Sequence, residues 1–321
     1  MKSILLYLPF ALLVCLSACG EKKLEESGGS PEVLPSQFLV VLGTAQDAGY
    51  PQTGCTKQCC SAALSSGVEK GKVTSLGLVD RVDSSVWLFE ATPNFREQWS
   101  KLLSYSPSYT CQGIFLTHAH IGHYTGLMQL GRESMGASNQ KVYAMPKMKS
   151  FIETNGPWSQ LVSLNNISLQ ELSADSSIEL NPRVRVTPIR VPHRDEFSET
   201  VGYIIQVNSH RILFIPDIDK WEKWKAHDIA NLIPTFDYAF LDGTFYGNGE
   251  LPGRDMSEIP HPFVEESIER FADLSEKDRK KIHFIHFNHT NPLLWDHKVQ
   301  NDLNKMGYQY AREGQIVNLS K

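Results

Sequence analysis

The chain has 321 residues, 41% of them hydrophobic and 21% charged, with a formal charge of −5. That apolar share supports one large core or two ordinary ones. No basic run or arginine-rich stripe is present, so nucleic acid is excluded as the expected partner.

The first stretch reads MKSILLYLPFALLVCLSACG. Lys2 supplies a positive start, and Ile4 to Val14 form an apolar core too short to span a bilayer. LSAC, Leu16 to Cys19, then sets small residues before a cysteine. This pattern resembles a bacterial lipoprotein signal, cut before Cys19, whose thiol carries the lipid. An ordinary secretory signal or an uncleaved anchor is the competing reading. Residues 1–18 are read as signal peptide, 19–37 as a polar, lipidated flexible tether, and 38–321 as the folded domain. Gly20 stands where an aspartate often retains lipoproteins at the inner membrane. The outer membrane is therefore favoured, with the domain in the periplasm or at the cell surface, in the cell envelope.

Apolar and β-branched runs follow as FLVVLG (38–43), SVWLFEA (85–91), GIFLTH (113–118), VRVTPIRV (184–191), TVGYIIQV (200–207), RILFIPD (211–217), DYAFLDG (237–243), IHFIHF (282–287) and GQIVNLS (314–320). Helical patterns lie between them in NFREQWSKLLS, YTGLMQLGRESMG, PKMKSFIETN and PFVEESIERFADL. SETVGYIIQVNSHRILFIPD reads as a hairpin turning at NSH. The mixture predicts a layered α/β protein with sheets between helices. Ligand-type side chains recur where the runs end, at His118, His193, Asp217, Asp242 and His286. Strand ends give such groups rigid support.

FLTHAHIGHYTGL places His118, His120 and His123 within six residues. With His193 of VPHRDE, the first two make a facial set of three nitrogens for zinc or iron, and Asp217 of FIPDID offers a bridging oxygen. Asp219 competes for that role. Cys55, Cys59 and Cys60 form a second cluster, suited to a tetrahedral zinc that lacks one ligand; disulfides or free thiols are the alternative in an exported protein. His210, His227, His283 and His297 are read as structural or surface residues.

The His-x-His-x-x-His run, the later lone histidine, the strand-end aspartate and the final IHF resemble the metallo-β-lactamase superfamily, an αββα sandwich. Within it the chain is similar to the pyrroloquinoline-quinone biosynthesis protein B group, through VLGTAQDAGYPQTGC, ATPNFREQ, GHYTGL, FLDGTF, GRDM and IHFNHTNP, spanning about residues 38 to 295. It also resembles the phosphonate-pathway cyclic phosphodiesterases and, more distantly, ribonuclease Z. The quinone-biosynthesis group typically loses the first two histidines and keeps an Asp-His ending; this chain keeps His118 and His120 and has Gly122 in place of the aspartate. The resemblance implies that His286 serves a second metal with His123 and Asp217, with one anionic ligand fewer. It implies that His289 completes a Cys₃His structural zinc with Cys55, Cys59 and Cys60, although their C-x₃-C-C spacing departs from the family's C-x-C-x₂-C. It places His261 as general acid and Arg254 against an anionic substrate group.

The expected function is a metal-dependent hydrolase of a small-molecule phosphodiester or cyclic phosphate, with an ester or lactone as the other substrate classes. One or two active-site zinc ions are expected, iron or manganese being the alternatives, besides a separate structural zinc. Asp217 and His261 are the catalytic pair. Two competing readings are an iron-dependent oxidative enzyme and a lipid-anchored binding protein with a vestigial metal site.

Overall fold

The computed structural model describes residues 34–65, 70–105 and 110–320. The expected signal peptide, Cys19 and most of the tether lie outside these residues. No described helix is long and apolar enough to cross a membrane.

Alternating and continuous apolar runs condense into two seven-stranded sheets. The first holds β1 (Gln37–Gly43), β2 (Ser75–Asp80), β3 (Ser85–Phe89), β4 (Cys111–Phe115), β5 (Gln140–Ala144), β6 (Ile167–Glu171) and β14 (Ile316–Asn318), in the order β14-β1-β2-β3-β4-β5-β6. The second holds β7 (Ile178–Asn181), β8 (Val184–Arg190), β9 (Val201–Val207), β10 (His210–Ile215), β11 (Tyr238–Asp242), β12 (Ile282–Ile285) and β13 (Gln309–Tyr310), in the order β13-β12-β11-β10-β9-β8-β7. Each sheet is half antiparallel and half parallel. β3 to β6 and β10 to β13 are the parallel halves.

The sheets face each other across a dry core. Leu39, Leu78, Trp87, Phe89 and Phe115 from the first meet Val186, Tyr203, Ile205, Phe214 and Phe240 from the second, all buried. Phe89 stacks on Phe115 at 4.9 Å and meets Tyr203 edge-on at 5.6 Å. Outside the second sheet, Trp221, Trp224, Val264, Phe271 and Leu303 cover Leu213, Ile215 and Phe284. The helix Phe95–Leu103 covers the first sheet over β1 to β3. The expected αββα sandwich is what the chain forms.

The NSH hairpin forms as read: β9 and β10 pair antiparallel, Val207 opposite His210, and Asn208 takes a left-handed φ of 54° at the turn. Two local expectations fail. YTGLMQLGRESMG is not a helix beyond Tyr124; Thr125–Leu130 tightens into 3-10 turns. Gly126 packs so closely that an added Cβ would lie 2.2 Å from the Thr92 carbonyl, which pins the segment to the chain after β3. The strands β2, β5, β6 and β7 were not among the apolar runs, and three of them carry half-exposed polar positions that blur the alternation.

Candidate metal centre

Parallel strands deliver their carboxyl ends to a common edge, where α/β sheets place ligands. Here the side chains just past β3, β4, β8, β10, β11 and β12 converge: Glu90, His118 and His120, His193, Asp217, Asp242 and His286. Glu90 and His286 hold left-handed φ angles of 77° and 70°. Such strain in non-glycine residues costs energy that the surroundings must supply, and it concentrates at functional sites.

His118, His120, His193 and Asp217 form one donor group. Asp217 Oδ2 lies 3.4 Å from His118 Nε2, 3.9 Å from His120 Nδ1 and 3.3 Å from His193 Nε2. Asp219 takes the role behind the site instead: its Oδ1 meets His193 Nδ1 at 3.2 Å, while its Oδ2 accepts from Lys223 Nζ at 2.8 Å. Beside them, His123 and His286 converge on Asp47, a residue the sequence reading did not single out. Asp47 Oδ1 is 3.2 Å from His123 Nε2 and 3.6 Å from His286 Nε2, and His123 Nε2 is 3.9 Å from Asp217 Oδ2. Its one sequence signal is its place in GTAQDAG, directly after a fully buried strand.

Each imidazole but that of His123 is hydrogen-bonded from behind. His118 Nδ1 meets Thr117 Oγ1 at 2.9 Å, His120 Nε2 meets Glu196 Oε2 at 3.0 Å, and His286 Nδ1 meets Thr244 Oγ1 at 2.9 Å. Glu90 Oε1 stands 3.4 Å from His123 Nδ1. Outer partners of this kind fix the ring orientation of metal-binding histidines and raise their basicity.

In the first group His118 Nε2 and His193 Nε2 lie 2.8 and 3.3 Å from His120 Nδ1, but other inward atoms lack any partner. Asp47 Oδ1, His123 Nε2, Asp217 Oδ1 and His286 Nε2 are buried with no hydrogen bond. At about 1–3 kcal/mol each, four such atoms would cost on the order of 4–12 kcal/mol. That rivals the roughly 5–15 kcal/mol by which a domain is stable. Lone pairs that crowd without bonding to each other fit a shared cation. The nitrogen and carboxylate donors suit zinc in particular.

Charge follows the geometry. Burial pushes the Asp217 carboxyl up, but His193, His261 and the other imidazoles hold it well below its usual value. Burial and the neighbouring His123 depress His118 strongly, which keeps it neutral as a ligand must be. His261 responds differently. Burial pushes it down, yet the Asp242 and Asp217 carboxylates raise it well above its usual value. Its Nδ1 sits 2.9 Å from Asp242 Oδ2 and 3.2 Å from Asp217 Oδ1. Asp242 is itself saturated by the amides of Ile218 and Thr244 and by the Thr244 hydroxyl, so it orients rather than ligates.

His261 lines a cavity of about 510 Å³ with Arg194, Arg254, Phe245, Asn288 and Gln52. A larger cavity, about 650 Å³, opens between Lys70, His297 and Arg312, and no donor group lines it.

The four predicted ligands of the separate zinc also meet. Cys59 and Cys60 Sγ lie 3.4 and 3.2 Å from His289 Nδ1, and Cys55 Sγ lies 3.9 Å from Cys59 Sγ. The C-x₃-C-C spacing succeeds because Gln58–Leu64 is a helix that turns Cys59 and Cys60 inward. None of the four described cysteines is in a disulfide. Burial pushes the Cys60 thiol up to about 12, so a bound cation is what would draw it to the thiolate.

Face-to-face sheets with this histidine–carboxylate cluster at their parallel strand ends define an αββα-sandwich protein with a candidate metal centre. The chain belongs to the beta-lactamase superfamily: the family described as "Beta-lactamase superfamily domain" matches residues 87–287. Coenzyme PQQ synthesis protein B of Methylobacterium sp. (strain 4-46) is 24% identical over 311 residues, covering 87% of this chain and 99% of its own. A crystal structure of zinc-bound PqqB from Methylobacterium extorquens aligns with a TM-score of 0.73 at 23% identity, covering 88% of this chain and 100% of that one. A diphosphatase of the PhnP family aligns with a TM-score of 0.61 at 21% identity, covering 88% and 96%.

Proposed function

We propose that this protein is a metal-dependent hydrolase of a small phosphodiester or cyclic phosphate, with an ester or lactone as the next substrate classes. The observation that carries the reading is the set of buried, unpartnered donor atoms facing one another while the rings of His118, His120, His193 and His286 are hydrogen-bonded from behind. His118, His120 and His193 with Asp217 would hold one ion, and His123 and His286 would hold a second. Bound metal would supply Lewis acidity, acidifying water and polarising the scissile bond.

The chain's own groups supply the rest. Asp217 lies where both donor groups meet, and its buried Oδ1 can accept a hydrogen bond from an attacking water and aim it. His261, kept protonated by Asp242 and Asp217, hands a proton from Nε2 to the leaving oxygen. Arg254 and Arg194 line the adjoining cavity and favour a substrate with an anionic group there. Cys55, Cys59, Cys60 and His289 would hold a closed, structural zinc.

The deciding experiment is elemental analysis of anaerobically purified protein, paired with phosphodiesterase, esterase and lactonase assays. Zinc with phosphodiester turnover supports the reading. Iron with oxygen-dependent turnover would overturn it in favour of an oxidative enzyme, the reading favoured by likeness to coenzyme PQQ synthesis protein B over 87% of the chain. Against a vestigial site, the Asp47 carboxylate lies where a side chain of residue 122 would start, which supports an intact donor set.

The anchoring reading belongs to the same proposal: lipid on Cys19 tethers the domain to the membrane of the cell envelope, outer membrane favoured. A Cys19→Ser substitution should move the protein from the membrane to the soluble fraction; retention in the membrane fraction counts against it.

A further inference from the structure

Gly122 stands between His120 and His123, at the hexad position where a second metal would take a carboxylate. The space beside it is filled. A Cβ built on Gly122 would lie 2.3 Å from Asp47 Oδ1, 2.7 Å from Asp47 Cα and 2.9 Å from Asp47 Cγ. A side chain at 122 would have to displace the loop that carries Asp47.

Asp47 is aimed into the cluster. Its Oδ1 is within 3.2 Å of His123 Nε2 and 3.6 Å of His286 Nε2, yet none of the three atoms has a hydrogen-bond partner. Of the other ring nitrogens, that of His286 meets the Thr244 hydroxyl at 2.9 Å, and that of His123 faces Glu90 Oε1 at 3.4 Å without a hydrogen bond. The loop is laced to the strand end that bears His286: the Gln46 amide donates to the Phe287 carbonyl at 2.8 Å, and the Phe287 amide to the Thr44 carbonyl at 2.8 Å.

We infer that Asp47 is the carboxylate ligand of the second metal ion, transferred from the hexad to the loop after β1, and that Gly122 is glycine to admit it. The second site is then His123, His286, Asp47 and the shared Asp217, two nitrogens and two carboxylates, a set suited to zinc or manganese. The inference rests on the two-ion reading above and removes its expected deficit. The second ion does not lack an anionic ligand; it takes one from a different segment.

The test is a zinc titration of the full chain against a chromophoric chelator, with elemental analysis, for wild type, Asp47→Ala, Asp47→Asn and His286→Ala. Loss of supporting groups alone weakens metal binding about 10–100-fold, and loss of a ligand should do at least as much. Asp47→Ala should therefore weaken one zinc by about 100-fold or more, the same ion lost in His286→Ala, while the other zinc sites keep their affinity. Asp47→Asn, nearly isosteric, should fold like wild type and show a smaller loss, which covers a folding failure of Asp47→Ala. Gly122→Ala should weaken the same ion although 122 offers no ligand, and should add nothing on the Asp47→Ala background. If Asp47→Ala and Asp47→Asn leave every zinc affinity unchanged while His286→Ala loses an ion, the ligand assignment is overturned and the two-ion function stands. If His286→Ala loses no ion either, both fall.

Discussion

His261 shows how one side chain acquires a task from its neighbours. Its Nδ1 is fastened to Asp242, which has no lone pair left for a metal, and its ring borders the cavity that Arg254 shares. An imidazole so placed can donate a proton, although with Asp217 and Asp242 it also forms a further donor group beside the cluster. His261→Ala should therefore lower kcat on a phosphodiester by about 10²–10⁴-fold, the usual worth of a positioned general acid. Metal content should stay at the wild-type value; a variant that instead loses zinc would make His261 a ligand. Position 122 carries a related lesson. A motif read in one dimension assigns its missing carboxylate to a defect, whereas three-dimensional proximity finds Asp47 in that space.

At the scale of elements, the segment from Thr44 to Leu64 joins two donor clusters. Asp47 lies near its start and the cysteine trio near its end, with Ala45 bridged to both Val73 and Phe287 between the sheets' edges. His286 and His289 sit correspondingly on the short stretch after β12. The cysteine–histidine cluster thus clamps the same two segments that Asp47 and His286 bring to the active edge. On the proposed reading, Cys60→Ser should lower the affinity of the cysteine–histidine cluster for zinc and, through the loosened loop, weaken an ion held by Asp47, His123 and His286 by about 10-fold, at the low end for a supporting group. Chelator competition would read both. An unchanged second ion would mean that the backbone lacing at Ala45 and Gln46 suffices alone.

At the scale of the molecule, the two sheets are tied away from the metal edge by a polar clamp. Asp80, fully buried at the end of β2, accepts from Gln37 Nε2 at 3.1 Å, Asn181 Nδ2 at 3.0 Å and Arg183 Nε at 2.9 Å, so both sheets contribute. Burial pushes its carboxyl up, but Gln37, Arg183 and Asn181 outweigh that and hold it below the usual value. A depressed folded-state pKa means stability that is present above the unfolded value, near 3.9, and lost as pH falls through the folded value. Asp80→Ala should cost about 2–3 kcal/mol at neutral pH, in line with hydrogen bonds to a charged group. Urea unfolding of the zinc-loaded protein should show that difference at pH 7 and a narrowing gap below about pH 4. A constant gap across that range would exclude the carboxylate as its source.

The sequence alone determined the layered sheets and most of the donor set. Buried strands announce themselves by apolar runs, and residues at their ends stand out because polar ligands rarely follow such runs by chance. His118, His120, His123, His193, Asp217 and His286 were legible for that reason, and the cysteines by their crowding. Strands such as β6 and β7 were not, because half-exposed edge positions carry little periodic signal. Only the tertiary structure decided between Asp217 and Asp219, closed the irregularly spaced cysteines on the His289 that the resemblance had implied, and placed Asp47 at the gap left by Gly122. The physical reason is common to all three. A ligand set is defined by distances among lone pairs, and a separation of 75 positions along the chain says nothing of Asp47 filling the space where a Cβ of residue 122 would stand.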